Sequence, residues 1–162
     1  AAEHLLAHNR TDCAFIGDAS DHSPEFFARF NGFKDELQQN GVPLNDRKIA
    51  NAISTEESGY HATRSLIANN ITFNALFAAS DLIAIGAIRA LKEANINVPK
   101  DVAVIGFDNI SIASYINPPL TTIEQNTTIA GQMLVENLLK LIRGEQVQST
   151  LLPPRLIARG SS

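Results

Sequence analysis

The sequence lacks several residue types and patterns on which whole classes of protein depend. It has one cysteine in 162 residues, so no disulfide can form within the chain. No run approaches the roughly 18 apolar residues that suggest a membrane-spanning helix. The formal net charge of −4 gives the chain no overall attraction for nucleic acid. We therefore expect a globular domain without a membrane partner, and any contact with DNA must come from a segment outside this chain.

Motifs for catalysis and metal binding are also missing. The four histidines do not have metal-ligand spacing, and a single cysteine cannot anchor a structural zinc site. There is no Gly-x-Ser-x-Gly motif, no P-loop and no dinucleotide-binding motif after the first apolar run. The sequence therefore predicts no enzyme activity, no metal and no cofactor. No export signal opens the chain, which favours the cytoplasm.

Short apolar runs alternate with helical patterns along most of the chain. Continuous apolar runs predict buried strands at 13–17, 48–53, 74–79 and 102–106, the second of them weak. Apolar stripes between them predict helices from about residue 24 to 40, 57 to 69 and 81 to 95. Ser23 is expected to cap the first of these helices. The alternation predicts an α/β fold, a parallel sheet flanked by helices on both faces.

The last quarter of the chain has a different pattern. Residues 120–123 predict a strand, a helix is expected from about Thr127 to Arg143, and the proline-interrupted segment 151–159 predicts an edge strand. That helix carries a large set of apolar side chains: Ile129, Met133, Leu134, Leu138, Leu139, Leu141 and Ile142. Because such a surface tends to associate, we expect the helix either to fold back or to pair with a neighbouring chain.

Polar side chains follow the predicted strands, at the edge where open parallel sheets bind ligands. They are Asp18, Ser54, Ser80, Asp81, Asp108 and Asn109, and Arg29 lies near the beginning of the first helix. Carboxylate acceptors beside a guanidinium donor suit an uncharged polyol. For each residue alone a structural role stays open: Ser80 and Asp81 can cap a helix, Asp108 can cap a turn, and Arg29 can be a surface charge.

Five motifs, in order and at the right spacing, resemble the LacI/GalR family of transcription regulators. They are Arg29–Phe33 (Arg-x-x-Gly-Phe), Ala79–Leu91 (the Asn-Asp-x-x-Ala-x-Gly helix start, with Ser for Asn), Val98–Asp108 (Val-Pro-x-Asp-Val-x-Val-x-Gly-Phe-Asp), Pro118–Ile123, and the run from Leu152 to Ser161. Each motif is short, but the ordered set covers nearly the whole chain and is specific.

The resemblance implies a type I periplasmic-binding-protein-like fold, with two subdomains around an effector cleft. Residues 1–124 and 149–162 would form the C-terminal subdomain, and 125–148 would cross to an N-terminal subdomain whose remainder is absent from this chain. The implied function is effector sensing and homodimerisation in a DNA-binding regulator, a repressor that responds to a sugar or similar small metabolite. Operator DNA would be bound only through the absent N-terminal domain.

The family pattern also implies roles for individual residues. Arg29 and Asp108 would bind the effector, and Gln125 would lie near the crossover. Ser80 stands where many members have a ligand-binding asparagine, and Ser54 where many have an aromatic ring that stacks on the ligand. The candidate dimer contacts are Ile85, Ile116 and Leu82, although the helix over 82–94 can also be read as an interior helix covered on all sides.

Two other functions stay open on the sequence. A periplasmic-type sugar-binding protein would share the fold, but the runs at 118–122 and 152–154 favour the regulator. A doubly wound enzyme would need a catalytic motif that the chain does not have.

Overall fold

A computed structural model, which describes residues 1–20 and 22–162, has a six-stranded sheet at its centre. The strands are β1 (Cys13–Ile16), β2 (Ile49–Ala50), β3 (Ala75–Ala78), β4 (Ala103–Phe107), β5 (Thr121–Glu124) and β6 (Arg155–Ile157). They lie in the order β2-β1-β3-β4-β5-β6; the first five strands are parallel and β6 is an antiparallel edge strand. The predicted fold class and edge strand are confirmed, and the second strand is much shorter than the predicted 48–53.

Helices cover both faces of the sheet. The helices beside the sheet are α1 (Ala2–Ala7), α2 (Pro24–Gln39), α3 (Glu56–Ala68) and α4 (Asp81–Glu93), and α5 (Thr127–Ile142) lies away from it. On one face, Phe30 and Phe33 of α2 lie 5.0 Å from Phe15 and 4.9 Å from Phe77, measured between ring centroids. The connections through α3 and α4 run across the sheet in the opposite direction to the one through α2. Since such crossovers are right-handed, α3 and α4 lie on the other face.

Of two helix starts, the capping pattern predicts the side-chain hydrogen bond correctly in one and incorrectly in the other. Ser80 caps α4 as expected, accepting a hydrogen bond from the Ile83 N–H at 3.4 Å. The expectation that Ser23 caps α2 in the same way is wrong: Ser23 occupies the cap position, but its hydroxyl donates to the Asp18 carboxylate at 2.8 Å.

Helix α4 is largely an interior helix, and glycine makes this possible. A Cβ at Gly86 would lie 2.7 Å from the backbone nitrogen of Tyr60, and one at Gly59 would lie 2.7 Å from Cα of Ile83, so α3 and α4 approach more closely than side chains allow. The buried residues of α4 include Ile83, Ala84, Ala87, Ile88 and Leu91. The interior interpretation therefore holds for most of the helix, and Leu82 and Ile85 remain partly exposed.

The lone cysteine belongs to the core. Cys13 is buried at the beginning of β1, where its thiol donates to the Arg10 carbonyl at 3.5 Å. Burial raises the pKa of the thiol to about 11, with a smaller contribution from the neighbouring Asp12 carboxylate. A thiol in this state is a small apolar side chain rather than a nucleophile.

Helix α5 lies outside the core. None of its residues is buried, and Leu134 and Ile142 are 70% and 72% exposed. Of the two predicted alternatives, folding back onto the core is not found, because no residue of α5 is buried. Its pairing with a neighbouring chain stays a prediction. In the part of the chain that the structure describes, no helix is long and apolar enough to cross a membrane.

Candidate functional site

The carboxyl ends of β1 and β3 form the topological switch point of the sheet, where the connections of two neighbouring strands leave in opposite directions. The Ala79 N–H donates to the Ile16 carbonyl at 2.8 Å and holds the two strand ends together. Asp18 follows β1, and Ser80 follows β3. Several of the predicted polar residues therefore lie where doubly wound sheets bind ligands.

Arg29 reaches across this edge from α2 and joins two strand ends. Its Nη1 donates to the Ala79 carbonyl at 2.5 Å, and its Nη2 donates to Asp108 Oδ1 at 3.3 Å. The guanidinium lies 3.8 Å from the centroid of the Phe107 ring, within the range of a cation–π contact. The side chain is 13% exposed, and burial lowers its pKa, although a guanidinium remains charged at neutral pH.

Asp108 is the more open member of this ion pair, with a side chain that is 35% exposed. Burial raises the pKa of its carboxyl group, and both the Arg29 charge and a hydrogen bond from Gln125 oppose that shift. Gln125 thus belongs to the same cluster, although it comes after β5 and is itself exposed. We call Arg29, Asp108 and Gln125 the charged cluster.

Ser54 and Ser80 form a second group beside the charged cluster. The Ser54 hydroxyl donates to the Ser80 hydroxyl oxygen at 2.9 Å, while Ser80 also caps α4. Ser80 is buried and Ser54 is exposed. The two groups meet through Ala79, because Arg29 binds the carbonyl of the residue that directly precedes Ser80. All five predicted site residues therefore lie along one edge, in two groups.

Asp18 has a local role in the structure. Its carboxylate accepts hydrogen bonds from the Ser20 N–H at 2.9 Å, the Ser20 hydroxyl at 2.6 Å and the Ser23 hydroxyl at 2.8 Å. These bonds lower its pKa, the one from the Ser20 hydroxyl most. They hold the loop that leads from β1 into α2, so Asp18 shapes the edge on which Arg29 lies.

Two adjoining cavities lie beside the charged cluster. One of 260 Å³ is lined by Arg29, Phe33, Phe77 and Ile123, among others, and one of 180 Å³ by Gln125 and Leu152; Phe107 and Pro154 border both. Each is smaller than a typical small-molecule pocket of about 300–1,000 Å³. A further cavity of 650 Å³, bordered by Asn95 and Asn117, is lined by none of the predicted site residues.

Sequence reasoning did not predict the contacts of three residues at this edge. Phe107 supports the Arg29 guanidinium, and the Asn109 amide binds Glu124 of β5 and Arg159 in the segment after β6. Asp81, interpreted as a first-turn acid, is fully buried and accepts from the Thr122 hydroxyl at 2.5 Å. The proximity of Phe107 and Asn109 to Asp108 in the Gly-Phe-Asp-Asn string was the available signal.

The candidate dimer residues lie apart from the charged cluster in sequence. Ile85 and Ile116 are partly buried and pack against the core. In the segment before Ile116, Ile112 and Tyr115 are exposed, Tyr115 to 81%. As for metals, no group of three or more His, Cys, Asp or Glu residues among 1–20 and 22–162 is placed to hold an ion.

The family described as periplasmic binding protein-like domain matches residues 2–162 of this chain. The regulator AscG of Escherichia coli K12 is 37% identical over 144 residues, which are 89% of this chain and 43% of AscG. The ribose operon repressor of the same strain is 32% identical over 164 residues, which are 100% of this chain and 49% of the repressor. The chain thus spans about half the length of these curated relatives.

Solved structures agree with these relatives. The Escherichia coli repressor AscG superposes with a TM-score of 0.91 at 35% identity, covering 99% of this chain and 59% of that one. A lac repressor dimer bound to operator and an anti-inducer gives 0.93 at 30% identity, covering 99% and 55%. A complex of the regulator CelR with cellobiose gives 0.91 at 29% identity, covering 100% and 50%.

Proposed function

This chain belongs to the periplasmic-binding-protein-like family that includes the LacI-type repressors, and we propose that it is the effector-sensing and dimerising region of such a regulator. The charged cluster at the switch point carries this proposal. The protein is a cytoplasmic repressor without catalytic activity, and its effector is a sugar or similar small metabolite. DNA is bound by a part of the protein that lies outside these residues.

The charges of the cluster favour an uncharged, hydroxyl-rich effector. Arg29 and Asp108 neutralise each other, so an anionic ligand would meet the Asp108 carboxylate and compete with it for Arg29. A sugar hydroxyl can donate to Asp108 and accept from Arg29 without separating them, since a guanidinium has five N–H donors. Gln125 adds an amide, which offers both a donor and an acceptor.

The names of the relatives support the same choice. One is a repressor of a ribose operon, and one solved structure is a complex with cellobiose. The relatives described above are transcription regulators, which supports this role over a periplasmic-type sugar-binding protein of the same fold. Ser54 offers a small exposed hydroxyl group on the wall of the site, and the buried Ser80 hydroxyl holds it from behind.

The open form of the site supports a two-part cleft. Residues 1–124 and 149–162 supply the wall described here, and residues 125–148 cross to a second subdomain that supplies the other wall. The apolar surface of α5 packs on that subdomain, which accounts for the absence of buried residues in α5. Effector binding closes the cleft and shifts the subdomains, and this movement changes the position of the DNA-binding part.

The partly exposed residues Leu82, Ile85 and Ile116 form the centre of a homodimer contact. They adjoin buried residues of α4 and of the segment before β5, and this packing holds the contact surface in a fixed position. The structures of lac repressor dimers support this assembly.

A thermal-shift screen of the full-length protein tests the effector site. We expect one sugar of a panel containing D-ribose, D-glucose and cellobiose to raise the melting temperature. At a sugar concentration of a hundred times Kd, binding should add about 2.7 kcal/mol to the free energy of unfolding. Arg29→Ala and Asp108→Ala should each abolish most of this response, because each removes one half of the charged cluster.

Arg47→Ala and Asp35→Ala are the matched controls, since both side chains are exposed and belong to neither group of site residues. They should respond like the wild type. An unchanged sugar response in both the Arg29 and the Asp108 variant would refute the site.

A further inference from the structure

We propose that Asn109 is a positioning residue that couples the effector-contacting turn at Asp108 to the two strands that connect this domain with α5. The inference deepens the proposed function and rests on it, because it assigns the route by which a movement of Asp108 reaches the crossing segment.

Both ends of the Asn109 amide are engaged, one with β5 and the other with the segment that follows β6. Its Nδ2 donates to Glu124 Oε1 at 2.7 Å, and its Oδ1 accepts from Arg159 Nη2 at 2.7 Å. Its backbone N–H donates to the Thr122 hydroxyl at 3.3 Å. Asn109 therefore binds β5 through two groups and the segment directly after β6 through a third.

The partners of Asn109 bracket the excursion of the chain to α5. Glu124 is the last residue of β5 and Arg155 is the first of β6; the two are paired in the sheet, and Arg155 Nη2 donates to Glu124 Oε2 at 2.7 Å. Arg159 also binds the Leu120 carbonyl at 2.7 Å. The outgoing and the returning strand are thus tied to each other and to the same amide.

The backbone makes Asp108 and Asn109 move together. Their φ angles are +112° and +52°, consecutive values that residues with a side chain rarely adopt, so the turn depends on the bonds around it. The Asp108 N–H donates to the Ile123 carbonyl at 2.8 Å, and the Asp108 carboxylate binds Arg29. A ligand that displaces the Asp108 carboxylate changes a turn whose other half holds β5 and β6.

The position requires an amide. Glu124 can only accept a hydrogen bond and Arg159 can only donate one, so a side chain between them must do both. An aspartate would set two carboxylates against each other, and an alanine would leave both partners without the contact. The bonds from Arg155 and Asn109 lower the pKa of Glu124, so it is ionised and acts as an acceptor at neutral pH.

Hydrogen–deuterium exchange of the full-length protein without ligand tests whether Asn109 holds β5 and β6 together. Asn109→Ala should speed exchange of the β5 and β6 amides by about tenfold, because the strand pair opens more often. Asn109→Asp should do the same. Asn109→Asp combined with Glu124→Gln should return exchange to within about twofold of the wild type, since the exchanged groups restore a donor and an acceptor.

Asn97→Ala is the matched control, because the Asn97 amide also binds a carboxylate, that of Asp101, in an exposed loop away from this edge. It should leave β5 and β6 unchanged. Normal exchange in Asn109→Ala, or no recovery in the paired variant, overturns the proposal.

The coupling itself is tested by introducing Arg29→Ala into the wild type and into Asn109→Ala. The Arg29 side chain binds the Ala79 carbonyl and the Asp108 carboxylate, so it reaches Asn109 only through Asp108. This change should speed β6 exchange about threefold in the wild type and have little effect in Asn109→Ala. If the two substitutions act independently, so that their fold-changes in exchange rate multiply in the double variant, the coupling is overturned. Coupled exchange in a protein that responds to no sugar would contradict the proposed function alone.

Discussion

At the scale of the residue, the proposed effector binding depends on the ionisation state of Asp108. Burial raises the pKa of this carboxyl group, and the neighbouring Arg29 opposes the rise without removing it. A group with a raised pKa in the folded protein stabilises the fold fully below its unfolded pKa and loses that contribution as pH rises through the folded value. Ligand binding depends on pH in the opposite direction and is favoured at higher pH, because an ionised Asp108 is the better acceptor for a hydroxyl.

We therefore expect sugar affinity to fall on acidification, beginning at a higher pH than the usual Asp value of 3.8 would give. Acid protonates Asp108 and removes an acceptor, while this same group does not destabilise the fold. Calorimetric titration over a pH series measures the effect, and Asp108→Asn should bind weakly with a much flatter pH profile. A wild-type affinity that is constant down to the usual Asp pKa would show that Asp108 does not contact the effector.

At the scale of the element, strands and helices were largely predictable, and the contacts between them were not. Continuous apolar runs identified β1, β3 and β4 because a parallel sheet covered on both faces needs them. The run at 48–53 gave only β2 (Ile49–Ala50), a partly buried edge strand. The contacts of Asn109 were not predicted because its partners Glu124 and Arg159 are 15 and 50 residues away, and only the folded sheet brings them together.

The same limit applies to the α3–α4 crossing. Its glycines are visible in the sequence, but the close helix contact that requires them is not. We expect Gly86→Ala and Gly59→Ala each to lower the free energy of unfolding by about 2–3 kcal/mol, because the added methyl group forces the helices apart. Urea denaturation measures this loss. Gly32→Ala on α2 is the control, where the added Cβ meets nothing within 4 Å and should stabilise by about 0.5–1 kcal/mol. Equal effects at all three positions would contradict the close approach.

At the scale of the whole molecule, two surfaces of this chain are open. The charged cluster lies at one edge of the sheet, and α5 carries its apolar residues with none buried. The site residues could be predicted as a set because the ends of parallel strands share one edge. Their division into the charged cluster and the Ser54–Ser80 pair depended on the path of Arg29 to the Ala79 carbonyl, which no local pattern reveals.

We expect Ile85→Glu to weaken dimerisation of the full-length protein by about 100-fold or more, because it places a charge in the centre of an apolar contact. Light scattering after size-exclusion chromatography measures the mass. Ile71→Glu is the control: Ile71 is likewise partly buried against the core, but lies in the loop between α3 and β3, so this variant reports the cost of the charge to folding alone. A dimer that survives Ile85→Glu places the interface elsewhere.

The burial of Cys13 has a practical consequence for following these movements. Within these 162 residues it is the only thiol, and a pKa of about 11 keeps it protonated and inert toward maleimides at neutral pH. Cysteines placed at Glu136 on α5 and at Arg64 on α3, both exposed, would be the reactive thiols of the domain. Fluorophores attached there can report the distance between α3 and the crossing helix α5, molecule by molecule, without replacing the native cysteine.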